Sequence, residues 1–370
     1  MKRIISVLLV LLISLASLFS LVSCFDAEDG GQTGGGANNN ATGAGYTTKS
    51  KVVSYLHFNT VSTIYAYGAT TDSEFASYVQ TVDSMLGYYH KLFDIYYVYS
   101  GVNNICKINA KAGVEPVQVD RALIDFLLYC KELYVLTGGE TNVMLGSVLK
   151  IWHDAREFAE ETGGYLDPIN LPTSEQLSAA AEHTSIDSLV IDEEASTVYI
   201  SDPLASLDVG AIAKGYAVDK LYEALVAAGA DSVALNIGGN LRTIGKKPGG
   251  ANWVTGVTNP DKTSSDTVKC RIEIGSTSVV TSGDYERYFI SDGQKYHHII
   301  DPDTLGPAAY FASVTIITEN SGLADALSTA LFCMSYEQGR ALADSLAGVE
   351  VIWIYRDGAI AHTSGVTFAS

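Results

Sequence analysis

Asp325 and Thr329 stand four residues apart in an apolar run, residues 323–332. If that run is helical, the carboxylate and the hydroxyl share one face, because residues four apart stack on successive turns. A carboxylate among apolar neighbours is costly unless it is paired or coordinated. Two arrangements satisfy it. One is an acid near a helix start beside a solvent-facing threonine. The other is part of a hard-cation site, since magnesium takes oxygen ligands and shares them with substrate phosphates. A second stretch, residues 207–217, reads as a tight turn running into a helix. Gly210 and Gly215 permit close backbone approach there, Ala211 and Ala213 leave room, and Lys214 supplies a cation. The open N–H groups of such a helix start suit a phosphate, although many glycine-rich turns only join a strand to a helix. A third feature is the pair His297-His298 in a strand-like run, where adjacent side chains point to opposite faces and one of the two can face a site.

The charge balance bears on these readings. The 370 residues include 42 acidic and 23 basic ones, a net charge of −19. That argues against a nucleic-acid surface, which needs a basic stripe. An acidic protein that handles a phosphorylated ligand needs a local cation, for which a metal ion is the ready source.

The elements that must position these residues begin after a targeting segment. Lys2 and Arg3 precede an apolar run, residues 4–22, which ends at Cys24. Residues 25–50, rich in Gly, Asn, Ala and Thr, read as a flexible tether, and the folded domain is expected over 51–370. Cys106, Cys130, Cys270 and Cys333 form no C-x-x-C pair, so zinc-site spacing is absent; Cys130 and Cys333 sit in apolar runs that suit buried free thiols.

Alternation predicts strand over 58–67, and helix is predicted over 72–96. A connector is expected at 103–109, then a helix from about Asp120 to Gly138, and a looser region from Trp152 to about Pro172. A short helix from Ser174, with Thr173 or Ser174 as cap, precedes a hairpin over 189–200. Ala217, Leu221 and Leu225 line one face of the helix after the glycine-rich turn, and Gly229 ends it. Strands follow at 232–237, 253–257, 271–274, 278–285 and 314–318, then the helix of Asp325, another near 338–346, and a hairpin turning at Asp357-Gly358. This irregular interleaving predicts an α+β fold, one domain with mixed or antiparallel sheets and flanking helices.

Taken in order, residues 207–217, 236–240, 281–285, 298–304 and 324–329 resemble the successive motifs of the ApbE family, and Leu21-Val22-Ser23-Cys24 resembles a bacterial lipobox. The family consists of FAD:protein FMN transferases, often exported lipoproteins. The resemblance implies a Mg2+-dependent reaction in which FMN passes from FAD to a Thr or Ser hydroxyl of another protein and AMP leaves. It implies metal ligation by Asp325, Thr329 and the Ala211 carbonyl, and nucleotide contacts from Asp208 and Lys214. Glu140, Thr141 and Asn142 match a flavin-contact segment, with Asn142 where many members have Asp. Phe58 falls where others have a flavin-contacting Met, and Ile299 or Ile300 at another contact. His298 matches the histidine of an H-x-I-D-P-like motif. The sequence departs from the family at residues 303–307 and at Asn240, where Asp is frequent.

An acceptor hydroxyl is a weak nucleophile and benefits from a base. His298 is the candidate, with Asp284 as an alternative base or orienter; His297 and Arg287 read as structural, Arg287 in an ion pair. The implied partners are FAD and an exported or membrane redox protein bearing an S/T-G-A-T-like motif. Lipid on Cys24 would hold the enzyme outside the cytoplasm on a bacterial membrane. The alternatives are a pyrophosphatase giving FMN and AMP, and a flavin-binding lipoprotein without turnover. Self-modification is a further alternative, since Gly68-Ala69-Thr70 partly matches an acceptor motif, but Tyr67 holds the Ser/Thr place.

Overall fold

The computed structural model describes residues 47–369. The expected signal peptide, the lipidated Cys24 and most of the tether lie outside them. The first strand begins at Thr48, so residues 48–50 belong to the fold and not to the tether.

In chain order the elements are β1 (Thr48–Ser54), β2 (Ser62–Tyr67), α1 (Asp72–Phe93), α2 (Ile105–Ala110), β3 (Val117–Gln118), α3 (Arg121–Leu136), α4 (Gly146–Glu161) and α5 (Ser174–Ala181). Then come β4 (Leu189–Asp192), β5 (Thr197–Ile200), α6 (Ala213–Ala227), β6 (Ser232–Ile237), β7 (Asn240–Gly245), β8 (Trp253–Thr258), β9 (Val268–Ile274) and β10 (Ser278–Gly283). The last are β11 (Tyr288–Ser291), β12 (Gln294–His297), β13 (Phe311–Thr318), α7 (Ser321–Cys333), α8 (Tyr336–Ser345), β14 (Glu350–Tyr355) and β15 (Ile360–His362).

An eight-stranded sheet in the order β1-β2-β6-β7-β10-β13-β14-β15 forms the centre, with every neighbouring pair antiparallel. One face is covered by α1 and α6 over β2 and β6, and by α7 and α8 over β13 and β14. Leu221 and Leu225 of α6 are wholly buried there, each worth roughly 1.5–3 kcal/mol of hydrophobic burial. The β8–β9 hairpin covers the other face, with Trp253 and Ile272 wholly buried against Ala234 and Ile352. Two smaller units complete the domain: α2, α3 and β3–β5 around one core, and α4 with β11–β12 around another.

One register detail positions the site. β7 pairs with β10 only through Arg242↔Ser278 and Leu241↔Val279. Beyond that point β10 runs on with β13 alone, so Asn240 and Ser282 flank a parting in the sheet, and α7 packs over β10 and β13 there.

Two expected loops are helices. Residues 105–110 form α2, started by Asn104, whose side chain accepts from Lys107 N–H. The supposedly loose region after Trp152 is most of α4. Its apolar residues Val148, Trp152, Ala155 and Ala159 recur at helical spacing and pack inward, but no side-chain cap marks its start at Leu145; Lys150 pairs with Asp154 on its exposed side, and Arg156, largely buried, pairs with Glu160 at 3.6 Å.

Candidate functional site

The glycine-rich turn is held from three directions. Asn109 of α2 clamps Leu207, donating to its carbonyl at 2.9 Å and accepting from its N–H at 2.8 Å. Asp208 N–H donates to Val143 O at 2.8 Å, which ties the turn to the segment after α3. The Asp208 carboxylate accepts from Gly210 N–H at 2.9 Å. Burial raises its pKa, opposed by the Gly210 bond and by His153, Arg156 and Arg287 nearby.

The start of α6 is not the open phosphate cradle that the turn suggested. Ile212 and Ala213 N–H groups both donate to Val209 O. The Gly215 N–H, which an ordinary helix would direct to the Ala211 carbonyl, donates to Asp325 Oδ2 at 2.8 Å. α6 therefore opens at Ala213, and the Ala211 carbonyl stays outside its hydrogen-bond ladder. Gly215 is required by contact: a Cβ there would lie 2.2 Å from Ser321 O and 2.7 Å from Asp325 Cβ.

Asp325 is 5% exposed. Its other oxygen has Lys214 Nζ at 3.6 Å, an ion pair too long for a strong hydrogen bond. Burial raises its pKa against the opposing pull of Lys214, the Gly215 N–H and the neighbouring Asn240 amide. The Asn240 Nδ2 lies close enough to act on that charge but closes no hydrogen bond of good geometry, and is one of the buried polar atoms left without a partner. One turn on, the Thr329 hydroxyl makes two long hydrogen bonds among the described residues, with Asp325 O and Ser282 Oγ, both at 3.5 Å. Ser282 is held instead by Ser328 Oγ at 2.8 Å. Asp325, Thr329 and Lys214 thus meet where α6 packs on α7, with Ala211 in the turn just before α6.

Of the remaining candidates, Thr141 reaches this junction directly, its hydroxyl donating to Ala326 O of α7 at 2.9 Å. Glu140 beside it has an unpartnered buried Oε2, and burial with Asp303 and Asp301 raises its carboxyl to about 7. Asn142 is engaged in structure, donating to Thr184 O and accepting from Met144 N–H. Phe58 sits in a left-handed turn, φ +54°, with its N–H donated to His90 Nδ1 and its ring near His90 and Phe93.

His297 and His298 separate as expected of neighbours at a strand end. His297 is buried, its Nε2 bonded to Ala308 O at 2.9 Å and its Nδ1 accepting from Ile299 N–H. His298 is half-buried with Nδ1 enclosed and unpartnered. Burial, then Arg287, Arg156, His297 and Lys214, holds its pKa well below the usual value. It is therefore a neutral imidazole within electrostatic reach of Lys214.

Three expectations need correction. Asp284 is not joined to this junction; it is ion-paired with Lys295 at 2.8 Å and lines a separate cleft of about 580 Å3. Ile299 and Ile300 are each 5% exposed and belong to two different core clusters, so they offer a ligand little side-chain surface. Arg287 has no ion pair among the described residues; its carbonyl accepts the His298 N–H at 3.0 Å, and its charge is felt at His298, Asp208 and Arg156. Arg156 was missed; it lies on α4, in the region where no helix was expected. Asp219 was missed too, although its position four residues after Gly215 puts it on the same face of α6.

The ApbE family profile matches residues 58–353. FAD:protein FMN transferase of Treponema pallidum is 33% identical over 276 residues, covering 71% of this chain and 73% of its own. The protein of that name from Klebsiella pneumoniae is 29% identical, covering 71% and 78%. Among solved structures, the ApbE protein of Thermotoga maritima superposes with TM-score 0.72 at 29% identity, over 86% of this chain and 97% of that one. The flavin transferase ApbE of Vibrio cholerae gives 0.69 at 26% identity, over 87% and 97%. The order of the motifs, the single α+β domain and these likenesses agree, and the chain belongs to the ApbE family.

Proposed function

We propose that this protein transfers FMN from FAD to a Thr or Ser hydroxyl of an acceptor protein, forming a phosphoester and releasing AMP. The observation that carries this reading is the α6–α7 junction. There a buried carboxylate, a weakly engaged hydroxyl and a main-chain carbonyl free of its helix converge beside a lysine. The names of the family's relatives supply the reaction class.

The donor set fits Mg2+. Asp325, Thr329 and the Ala211 carbonyl are all hard oxygens, and the one cation paired with Asp325 among the described residues stands 3.6 Å away. Bound there, Mg2+ would neutralise the diphosphate and stabilise charge in the transition state. The other roles fall to the chain's own residues. Lys214, Arg156 and Arg287 provide positive charge for the nucleotide phosphates in an otherwise acidic protein. His298 is neutral at physiological pH; with Nδ1 enclosed, Nε2 is the nitrogen that can take the proton from the acceptor hydroxyl. The hydroxyl oxygen bonds to the FMN phosphorus, the P–O bond to AMP breaks, and AMP departs with that oxygen. To Asp208, Glu140, Thr141 and Phe58 we assign nucleotide and flavin contacts, as the family resemblance implies; Thr141 is tied to α7 through Ala326 O.

The test mixes the protein with FAD, Mg2+ and an acceptor carrying an S/T-G-A-T motif, and reads flavin fluorescence after denaturing electrophoresis. Fluorescence on the acceptor with stoichiometric AMP supports transfer. Free FMN without labelled acceptor would make the protein a pyrophosphatase, and unchanged FAD would make it a carrier. The lipobox motif supports anchoring outside the cytoplasm through lipid on Cys24. Cys24→Ala should move the protein from the membrane to the soluble fraction; persistence in the membrane would refute the anchor.

A further inference from the structure

The helices of the site are laced at two rungs. At one, Gly215 N–H donates to Asp325 Oδ2 at 2.8 Å. At the other, Asp219 of α6 turns its carboxylate to the first turn of α7: Oδ1 accepts from Ser321 N–H at 2.7 Å and Oδ2 from Gly322 N–H at 2.8 Å. Asp219 lies four residues after Gly215, and Ser321 four before Asp325. The rungs are therefore one helical turn apart on both helices, which run antiparallel at this contact.

There is no slack between the rungs, because a Cβ on Gly215 would collide with Ser321 O at 2.2 Å. Nor is Asp219 the ordinary cap of α7. Asn320 fills that place, its side chain accepting from Leu323 N–H at 2.6 Å. Asp219 instead reaches across from another helix to take two first-turn donors, where the field of α7 favours an anion. Sliding α7 along α6 by a fraction of a turn would break both Asp219 bonds together with the Gly215–Asp325 bond. The same slide would carry Asp325 and Thr329 away from Ala211 and Lys214.

We propose that Asp219 is a positioning residue that holds α7 in register with α6 and thereby sets the affinity of the junction for a divalent cation. This rests on the cation reading above. Asp219 itself contacts neither the cation nor substrate. Its effect is on how closely the oxygen donors of two separate chain segments converge.

The test measures Mn2+ binding by calorimetry on the purified protein without FAD, and transfer rate against Mg2+ concentration. Asp219→Asn should weaken Mn2+ binding by about 10- to 100-fold, the usual cost of losing a residue that orients metal ligands, while the rate at saturating Mg2+ returns close to that of the unaltered protein. Ser321→Pro removes one donor and keeps the carboxylate. It places proline at the first helical position, which tolerates it, after an Asn320 that is already extended (φ −97°, ψ 115°). It should weaken binding in the same way, and it decides the matter if Asp219→Asn does not fold. Unchanged Mn2+ affinity in a folded variant, or a lower saturated rate without weaker binding, overturns the proposal. Asp325→Asn is the control. Unaltered Mn2+ binding there would bring down the cation reading itself, whereas weak binding there with normal binding in Asp219→Asn brings down only the role of Asp219.

Discussion

Two buried carboxylates, Asp325 and Asp284, each have a lysine for company, and the two regions use that pairing differently. Asp284 is 3% exposed and closed against Lys295 at 2.8 Å. Asp325 is 5% exposed, but Lys214 stands off at 3.6 Å and its firm bond is to a main-chain N–H. Around Asp325 and the neighbouring segments, Asn240 Nδ2, Glu140 Oε2 and His298 Nδ1 are buried without partners. Buried polar atoms are normally paired. Unpartnered polar atoms and a loosely paired carboxylate are what the proposed cation and nucleotide site calls for, whereas the closed ion pair of Asp284 is charge already matched within the fold.

The sharpest way to break this contrast is to remove each acid. Asp325→Ala should cut transfer by about a thousandfold, the scale of several kcal/mol of lost transition-state charge stabilisation, in a variant that remains folded. Retention of full rate would remove Asp325 from the site.

His298→Gln should cost about a hundredfold or more, as loss of a general base does. Because burial and the nearby arginines hold the imidazole neutral, the rate of the unaltered enzyme should show no His298 inflection around its ordinary pKa of 6.5 and should fall only in more acid solution. A substitution that spares both rate and profile would show another group to be the base.

Gly215→Ala probes the helix contact. The added Cβ meets main-chain and Asp325 atoms that cannot move independently, so it should destabilise by about 1–3 kcal/mol and raise the Mg2+ requirement, read from denaturant unfolding and metal titration.

Glu140 gives a smaller effect with a defined sign. Its carboxyl is raised from 4.5 to about 7 in the folded protein. The folded state therefore holds a proton that the unfolded state has lost between those values. Its contribution to stability is fully present below pH 4.5 and is lost as pH rises through 7. Glu140→Gln should flatten the melting temperature in that window and make the protein more stable than the unaltered one at pH 8. An unchanged profile would show that Glu140 is solvated.

Asp284→Asn should have the least effect on chemistry. Lys295, a third exposed, can turn to water when its partner goes, so we expect a loss of stability of about 1–3 kcal/mol and a transfer rate within roughly threefold at permissive temperature. A loss comparable to that of Asp325→Ala would erase the contrast between the two acids.

What could be read in the sequence was whatever depends on neighbours along the chain. The buried face of Ala217, Leu221 and Leu225, the closing Gly229 (φ +88°), the hairpins, and the shared face of Asp325 and Thr329 all follow from local period and turn chemistry. The α+β class and the ordered motifs were legible for the same reason. α4 was not: its stripe of Val148, Trp152, Ala155 and Ala159 has helical spacing, but its start at Leu145 carries no side-chain cap to announce it. Nor could the sequence show that the Gly215 N–H bonds Asp325, 110 residues away, instead of Ala211. It could not show that Asp219 holds the start of α7, that Arg287 has no ion pair among the described residues, or that Asp284 has one. Hydrogen bonds and ion pairs between distant segments depend on how helices and strands pack, and residue type and local spacing do not encode which of several equivalent partners the packing will bring within 3 Å.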